Sequence, residues 1–285
     1  MSLIPPSLAW NVQIEVTSKC IRACSNCTRM SSIRSVDAVM TPEQFRTACR
    51  NLSDFPSQAP PAKYCREPRC IGMIGGEPTI HPQFEELTRI FKEEVPEHKY
   101  RGLWTGLPTA KWDKVKEGLR ADYGYINHNI HTPPSYHSPI LVASGELLPD
   151  KEAREKWTNE CWLNHIWSPI VTPDGVYFCE VAATIDKLFN LGVALPDEPG
   201  WWRDPIETFA DQIEACCKRC GVAMPLPGRF DNECMDDISP QNLLDLEALQ
   251  GHTCCLRNMQ VFEPAGYDPK KYLNGWAPAK YIGRQ

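Results

Sequence analysis

Three cysteines stand close together near the start of the chain, in the stretch SKCIRACSNC at positions 18–27. Cys20, Cys24 and Cys27 have the spacing C-x3-C-x2-C, and their soft thiolates suit zinc or iron–sulfur clusters. A structural zinc ion takes four protein ligands, and here the fourth would be Cys65 or Cys70. A [4Fe-4S] cluster held by three cysteines would instead keep one iron open for a small molecule. The loop therefore predicts a metal centre of one of these two kinds.

Composition limits the classes of partner. The chain has 285 residues, 14 cysteines and a formal net charge of −6. Because there is no global basic field, nucleic acid and anionic membrane surfaces are not expected partners. No apolar run is long enough to span a bilayer and no signal peptide is evident, so we expect a cytoplasmic protein. Close pairs such as Cys217 and Cys220 then favour metal binding over structural disulfides.

The first half of the chain alternates strand and helix patterns. Thr41 followed by Pro42 predicts a helix start, and apolar residues at helical spacing predict an amphipathic helix after position 82. This β-α alternation predicts a parallel sheet with crossover helices. The patterns give strands at 10–17, 70–78, 100–106 and 123–131, and helices at 41–52, 82–95 and 110–120.

The pattern changes after about residue 145. Two β-rich runs around Asp174 and Gly175 predict a hairpin, a short helix follows at 206–217, and another is expected near 240–249. We therefore predict an α/β fold with three parts. These are a partial (β/α)6 barrel at 1–145, extending at most to about 160, a small cysteine-rich domain at 146–225, and a C-terminal tail at 226–285 that folds back on the barrel.

A second motif, GGEP, occupies Gly75 to Pro78 at the end of a predicted strand. Gly75 and Gly76 let the backbone approach a ligand closely, and Glu77 suits a charge-assisted hydrogen bond from an ammonium group. Together with the cysteine loop, about fifty residues earlier on a β-α pattern, this motif resembles the radical S-adenosylmethionine (SAM) superfamily. Members of that family usually carry an aromatic residue before the third cysteine, whereas this chain has Asn26.

The resemblance implies two cofactors and their chemistry. The open iron of a [4Fe-4S] cluster chelates the amino and carboxylate groups of SAM, and the GGEP-type turn binds the amino group. Reductive cleavage of SAM gives a 5'-deoxyadenosyl radical that abstracts hydrogen from an unactivated C–H bond. The resemblance also implies an external reductant, such as flavodoxin or ferredoxin, and a small-molecule substrate.

Further SAM contacts are expected at the ends of the next two strands. Thr105, with Gly106, fits a loop near the ribose or the carboxylate of SAM. Asn127, Asn129 and His131 share one face of a strand by its period of two. That face lies either in the barrel interior or on a solvated side of the sheet.

A second cysteine set resembles the twitch subtype of the SPASM/twitch radical SAM enzymes. Cys161 precedes the predicted hairpin, Cys179 follows it, and Cys217 and Cys220 form a later C-x2-C pair. The resemblance implies that these four cysteines hold an auxiliary [4Fe-4S] cluster with no open iron. Cys216 is an alternative to Cys217, and a structural zinc ion is an alternative to the cluster.

The reaction class remains divided between two possibilities. Small twitch enzymes resemble those that act on sugars and aminocyclitols, either as epimerases with a cysteine hydrogen donor or as dehydrogenases that use the auxiliary cluster as electron acceptor. The surplus residues Cys234, Cys254 and Cys255 favour an epimerase, with the dehydrogenase as alternative and a peptide-modifying enzyme as a further one. Five acids are candidates for binding a substrate amine or are ordinary solvated groups: Asp174, Glu180, Asp231, Asp236 and Asp237.

Overall fold

The computed structural model describes residues 3–35, 37–62, 69–130, 135–166 and 169–273. The strands are β1 (Asn11–Thr17), β2 (Cys70–Gly75), β3 (Arg101–Thr105), β4 (Tyr125–His128), β5 (Tyr136–His137), β6 (Ile170–Thr172), β7 (Gly175–Tyr177), β8 (Arg229–Phe230), β9 (Asp236–Ile238) and β10 (Met259–Val261). The α-helices are α1 (Pro42–Leu52), α2 (Phe55–Gln58), α3 (Phe84–Glu94), α4 (Thr109–Asp122), α5 (Ser144–Leu147), α6 (Lys151–Thr158), α7 (Trp162–Ile166), α8 (Glu180–Phe189), α9 (Ala210–Cys217), α10 (Pro240–Ala248) and α11 (Pro269–Leu273).

The predicted start of α1 is confirmed by its capping box. The Thr41 hydroxyl accepts from the Gln44 backbone N–H, and the Gln44 side chain accepts in return from the Thr41 N–H at 2.9 Å. Such reciprocal bonds satisfy two backbone donors that a helix start leaves free. The predicted strands and helices of the first half are all present, with ends that differ by a few residues.

A six-stranded sheet in the order β4-β3-β2-β1-β6-β7 forms the centre of the molecule. Strands β1 to β4 and β6 run parallel, and β7 returns antiparallel beside β6. The protein therefore has a mixed α/β fold with a parallel-rich sheet. Parallel strands bring their carboxyl ends to one edge, which is where ligands bind in α/β folds.

Six β/α repeats, as the sequence suggested, are not evident in the sheet formed by the described part of the chain. Among the described residues, helices connect β1 through β4, but the next strand of the sheet, β6, pairs with β1 instead of extending beyond β4. Its successor β7 follows a two-residue turn at Pro173 and Asp174, and a connection that short permits only an antiparallel return. The hairpin predicted for the second part thus belongs to the same sheet as the first, across the expected boundary near residue 145.

Strand β1 is central and buried along its whole length. One face carries Val12, Ile14 and Val16, which belong to the main hydrophobic core. The other face carries Asn11, Gln13 and Glu15, which are at most 2% exposed. The alternation of apolar and polar residues therefore marks a core face and a polar interior face, not a half-solvated strand.

The C-terminal segment packs against the cysteine loop and the residues that follow it. The Cys255 N–H donates to the Ile33 carbonyl at 2.7 Å, and the Ser35 N–H donates to the Thr253 carbonyl at 3.1 Å. Within this segment β9 pairs with β10, and β8 pairs with β5. No helix within the described ranges is long and apolar enough to cross a membrane.

Candidate functional site

The three-cysteine loop leaves the carboxyl end of β1 and faces a cleft of about 530 Å³. Cys20, Cys24 and Cys27 all line this cleft. Burial, with the neighbouring Cys27 thiolate and Glu77 adding to it, raises the pKa of Cys20 to about 11. Burial and the same thiolate raise the pKa of Cys24 to about 12. The cause in each case is that a lone thiolate is poorly solvated here, and a bound metal centre would supply the missing positive charge.

The GGEP turn lies directly against the start of the cysteine loop. A β-carbon on Gly75 would overlap the Thr17 carbonyl oxygen, and one on Gly76 would overlap the Lys19 carbonyl oxygen. The Gly76 N–H donates to the Thr17 carbonyl at 2.8 Å, and the Glu77 N–H donates to the Lys19 carbonyl at 2.7 Å. The close approach that requires glycine is therefore made to the protein's own backbone, and it fixes the loop relative to the turn.

The Glu77 carboxylate is fully buried and bonded within the protein. Its Oε1 accepts from the Thr105 hydroxyl at 2.8 Å and from the Thr79 hydroxyl at 2.6 Å, and its Oε2 accepts from the Gly106 N–H at 2.7 Å. The sequence predicted an ammonium group as its partner. In the structure Glu77 instead joins the turn to the carboxyl end of β3, and Pro78 begins the following 3-10 turn, Pro78–Ile80.

The expected SAM-contact residues of β3 and β4 border the same cleft. Thr105, Asn127 and Asn129 line it together with Gly75 and Gly76. The Asn129 N–H donates to the Thr105 carbonyl at 2.9 Å, so the two strand ends are held together. The remaining candidates, His131 and Cys65, lie outside the described residues.

Asn26 anchors the cysteine loop to the C-terminal segment. Its N–H donates to Asp236 Oδ1 at 2.6 Å, its Nδ2 donates to Asp237 Oδ2 at 2.9 Å, and its Oδ1 accepts from the Asp237 N–H at 2.9 Å. Asp237 in turn accepts three hydrogen bonds from Arg229, two from Nε and one from Nη2 at 2.8 Å. We call Asn26, Asp236, Asp237 and Arg229 the loop clamp. Sequence reasoning found only an unusual residue at position 26 and missed its partners, which lie more than 200 positions away.

The second cysteine set lines a separate cavity of about 30 Å³. Cys161, Cys179, Cys217 and Cys220 all border it, as does Cys216. Burial, with the Cys179 thiolate adding to it, raises the pKa of Cys161 to about 12. Burial and the other thiolates of the set also raise the pKa of Cys217 and Cys220 well above the ordinary value.

Cys216 and Cys217 differ in their surroundings. The Cys216 thiol donates to the Ala182 carbonyl at 3.6 Å. The charges that act most on Cys217 are those of Cys220, Cys179 and Cys161. Both cysteines remain candidates, and these surroundings favour Cys217 as the fourth member of the set.

The two cysteine sets fit iron–sulfur clusters through the chemistry of their donors. Each set presents partly or fully buried thiols around an open space, three in the cleft and at least four in the second cavity. Within the described ranges, no three histidine, cysteine, aspartate or glutamate side chains converge closely enough to hold a single metal ion. Cys20, Cys24 and Cys27 would hold the first cluster, and Cys161, Cys179, Cys217 and Cys220 the second.

The cleft and the second cavity share a wall. Leu163 and Val222 line both spaces. At the start of α8, Cys179 borders the second cavity and the next residue, Glu180, borders the cleft. Helix α8 had no sequence prediction, because its first residues follow the predicted hairpin without a recognisable cap.

The proposed hydrogen-donor cysteines do not lie on the cleft, contrary to expectation. Cys254 is fully buried and its thiol donates to the Leu246 carbonyl at 3.5 Å. Cys234 is exposed, and Cys255 is partly exposed where the tail pairs with Ile33. None of the three cysteines is among the residues that line the cleft. Their places follow from tail contacts made across the fold, which their spacing in sequence does not encode.

Several other cleft residues escaped sequence reasoning. Buried Gln13 and Arg29 and the aromatic Trp104 and Trp162 line the cleft beside Glu180. Both side-chain polar atoms of Gln13 are buried without a hydrogen-bond partner among the described residues, as are Nε and Nη1 of Arg29. The only available signal was the period of β1, which puts Gln13 on the polar face.

Of the five acids considered for amine binding, only Glu180 borders the cleft. Asp236 and Asp237 belong to the loop clamp, and Asp174 forms an exposed ion pair with Lys187 at 2.9 Å. Asp231 Oδ1 accepts from the Ser135 N–H at 3.0 Å. These contacts give Asp174, Asp231, Asp236 and Asp237 structural partners.

Comparison with known proteins gives little further information. No family model matches the chain, and no curated protein matches it. Among solved structures, the chain is similar to BtrN, determined in complex with AdoMet and 2-DOIA. The two share 17% sequence identity over 75% of this chain and 93% of BtrN, with a TM-score of 0.42. A likeness of this size does not assign a family, so the site is interpreted from its own residues.

Proposed function

We propose that this protein is a radical SAM enzyme that dehydrogenates a small polar, carbohydrate-like substrate. The observation that carries the proposal is the meeting of two distant motifs at one cleft. Cys20, Cys24 and Cys27 line it beside Gly75 and Gly76, at the carboxyl ends of β1 and β2.

When bound, the first cluster would pass one electron to SAM to yield a hydrogen-abstracting 5'-deoxyadenosyl radical, and the auxiliary cluster would accept the electron left on the substrate. The substrate alcohol then loses two hydrogens in all, one as an atom and one as a proton, and becomes a carbonyl. An external reductant such as flavodoxin or ferredoxin supplies the first electron.

The chain's own residues bind SAM and exclude water. Gly75, Gly76, Thr105, Asn127 and Asn129 form one side of the cleft, where we assign SAM. Glu77 supports these residues from within the protein. Its hydrogen bonds to Thr105 and Gly106 hold the GGEP turn against the end of β3. We keep His131 as a further SAM contact on sequence grounds alone.

Other residues that line the cleft suit the substrate. Gln13, Arg29, Trp104, Trp162 and Glu180 offer amide, guanidinium, carboxylate and aromatic groups in a mostly buried space. Polar groups set among aromatic rings are typical of a pocket for a polyhydroxylated ring. This composition supports a sugar or an aminocyclitol as the substrate class.

Oxidation is preferred to epimerisation for two reasons. The second cysteine cavity adjoins the cleft through Leu163 and Val222, so an electron acceptor there would be near the substrate. The surplus cysteines, which had favoured an epimerase, are absent from the cleft lining. An epimerase needs a thiol at the substrate carbon, and the only thiols that border the cleft in the described residues are those of the first set.

The finer organisation follows from this proposal. The sheet β1 to β4 with its helices is the SAM-binding part, as in a partial barrel, and residues 146–225 are the twitch part. The described part of the proposed tail at 226–285 contacts the cysteine loop through the loop clamp. We also propose a cytoplasmic location, since both clusters need a reducing environment.

The first test is reductive SAM cleavage by the anaerobically reconstituted protein. Wild type should carry about eight irons per chain and form 5'-deoxyadenosine. The C20A/C24A/C27A variant should keep about four irons and form none. Unchanged cleavage in this variant contradicts the radical SAM assignment, and zinc at about one per chain would replace the auxiliary cluster by a structural ion.

Product analysis in deuterated water separates the two reactions. With candidate sugars and aminocyclitols, a dehydrogenase yields a carbonyl lighter by two hydrogens and fixes no solvent deuterium at that carbon. An epimerase yields a product of unchanged oxidation level with one deuterium on the inverted carbon. The second result would overturn the proposed dehydrogenase while leaving the radical chemistry intact.

A further inference from the structure

Arg29 connects the two cysteine sets. It lies two positions after Cys27, is 3% exposed, and belongs to the polar interior of the cleft. Its Nη2 donates to the carbonyl oxygen of Glu180, the residue that directly follows Cys179, and to the Thr184 hydroxyl at 2.8 Å. One guanidinium thus joins the segment that holds the first set to the segment that holds the second.

A second bond holds the same two segments together. The Thr184 hydroxyl donates to the Thr28 carbonyl at 2.9 Å, in the residue between Cys27 and Arg29. The bonds of Arg29 and of Thr28 therefore both fix helix α8 to the end of the cysteine loop. This geometry keeps the charge of Arg29 at a constant position relative to both sets.

The positive charge of Arg29 has no carboxylate at ion-pair distance among the residues that the structure describes. Its Nε and Nη1 are also buried without hydrogen-bond partners. Arg34, whose side chain is 5% exposed, shows the usual solution, since it pairs with Glu15 at 2.7 Å. Burying an unpaired charge is costly, so a compensating negative charge is expected beside Arg29.

We infer that Arg29 is an electrostatic bridge between the two iron–sulfur clusters, and that its charge stabilises the reduced form of both. The inference rests on the proposed function. Cysteines that ligate a cluster are thiolates, so each occupied set brings negative charge near this guanidinium. Every added electron increases that charge, and a nearby cation therefore raises a cluster's reduction potential.

Redox titration of the holoenzyme, followed by the electron paramagnetic resonance of each cluster, tests the bridge. The measurement is made without SAM and substrate, so that any contact of Arg29 with them does not contribute. In the R29Q variant we expect the midpoint potentials of both clusters to shift to more negative values. The R29K variant keeps the charge and should stay close to wild type.

Thr184→Val is the matched control. It removes the hydrogen-bond acceptor of Arg29 and the bond to Thr28 but keeps the charge, so both potentials should change much less than in R29Q. Equal shifts in T184V and R29Q would mean a structural role and overturn the inference. Unchanged potentials in R29Q, or a shift confined to one cluster, would also overturn it.

Two outcomes concern cluster assembly. If R29Q loses iron, the R29K variant decides between charge and shape. Iron retained in R29K means that cluster assembly requires the positive charge and supports the inference. Iron lost in R29K as well contradicts it. If wild type itself holds no iron–sulfur clusters, the proposed function fails first. If wild type holds two clusters and R29Q leaves their potentials unaltered, the electrostatic bridge is rejected and the proposed function is not.

Discussion

At the scale of single residues, the site depends on polar groups whose partners lie far away in sequence. Asn26 has a positive φ of 48° and stands between two of the loop cysteines. Its side chain bonds to β9. Burial raises the pKa of Asp236 to about 6, against the hydrogen bond from the Asn26 N–H. The loop clamp therefore brings two carboxyl groups and one guanidinium close together, and the positive charge of Arg229 compensates the negative charge of Asp237.

Substitution of Asn26 should separate backbone strain from the loop clamp. Asn26→Gly accepts the positive φ and loses only the side-chain bonds, which we expect to cost about 1–3 kcal/mol of unfolding free energy. Asn26→Asp brings a third carboxylate against Asp236 and Asp237 and should cost more. Chemical denaturation and iron retention measure both effects.

The matched control for Asn26 is Asn190. It has a similar φ of 52° at the end of α8, but it is exposed. Asn190→Gly should leave the unfolding free energy within about 0.5 kcal/mol of wild type. If Asn26→Asp proves as stable as Asn26→Gly, charge repulsion in the loop clamp is not the governing effect.

At the scale of elements, short turns fix the strand ends that surround the cleft. The turn after GGEP ends at His81, whose Nε2 donates to the Met40 carbonyl at 2.9 Å and whose Nδ1 accepts from the Gln83 N–H at 3.0 Å. This pattern requires the neutral ring. His81 thus joins the turn after β2 to the start of α1, on the far side of the turn from the cysteine loop.

The pH dependence of stability should reveal this histidine. Burial lowers the pKa of His81, opposed by the hydrogen bond to Met40. Since the unfolded chain takes up a proton near pH 6.5 and the folded state does so only at lower pH, stability falls on acidification below about pH 6.5. For one proton the slope is at most about 1.4 kcal/mol per pH unit.

Urea unfolding between pH 7.5 and about 5 measures this slope. His81→Gln removes the proton-binding site and should flatten the curve in that window. His98→Gln, at an exposed position, is the comparison and should keep the wild-type slope. The same slope in wild type and in H81Q would show that the acid sensitivity arises elsewhere.

At the scale of the whole molecule, the C-terminal segment determines which cysteines reach the cleft. Hydrogen bonds to Ile33 and Ser35 hold this segment beside the residues that follow the cysteine loop. In this position Cys254 is buried against α10. The hairpin β6–β7 joins the main sheet beside β1, and this placement puts the second cysteine cavity next to the cleft. The two proposed clusters are neighbours because one sheet carries both.

The tail cysteines should be dispensable for product formation. We expect C234A, C254A and C255A to form 5'-deoxyadenosine and oxidised product at wild-type rates, because none lines the cleft. C254A should lose about 1 kcal/mol of stability through the small cavity it creates. Cys161→Ala is the contrasting variant and should lose auxiliary iron and product. A tail variant that cleaves SAM but makes no product would restore the epimerase hypothesis.

The sequence by itself determined the elements and the motifs. Capping at Thr41, the periods of the strands and the order of the two motifs are local properties, and the parallel-rich sheet brings the motifs to one edge. The pairing of the first cysteine set with GGEP rests on the resemblance of the two motifs, in their order, to a known family. The loop clamp, the bonds of Arg29, the shared wall of the two cavities and the burial of Cys254 came only from the tertiary structure. They depend on contacts between residues about 150 to 210 positions apart, or on the path of the tail, and such contacts leave no periodic or compositional signal in the chain.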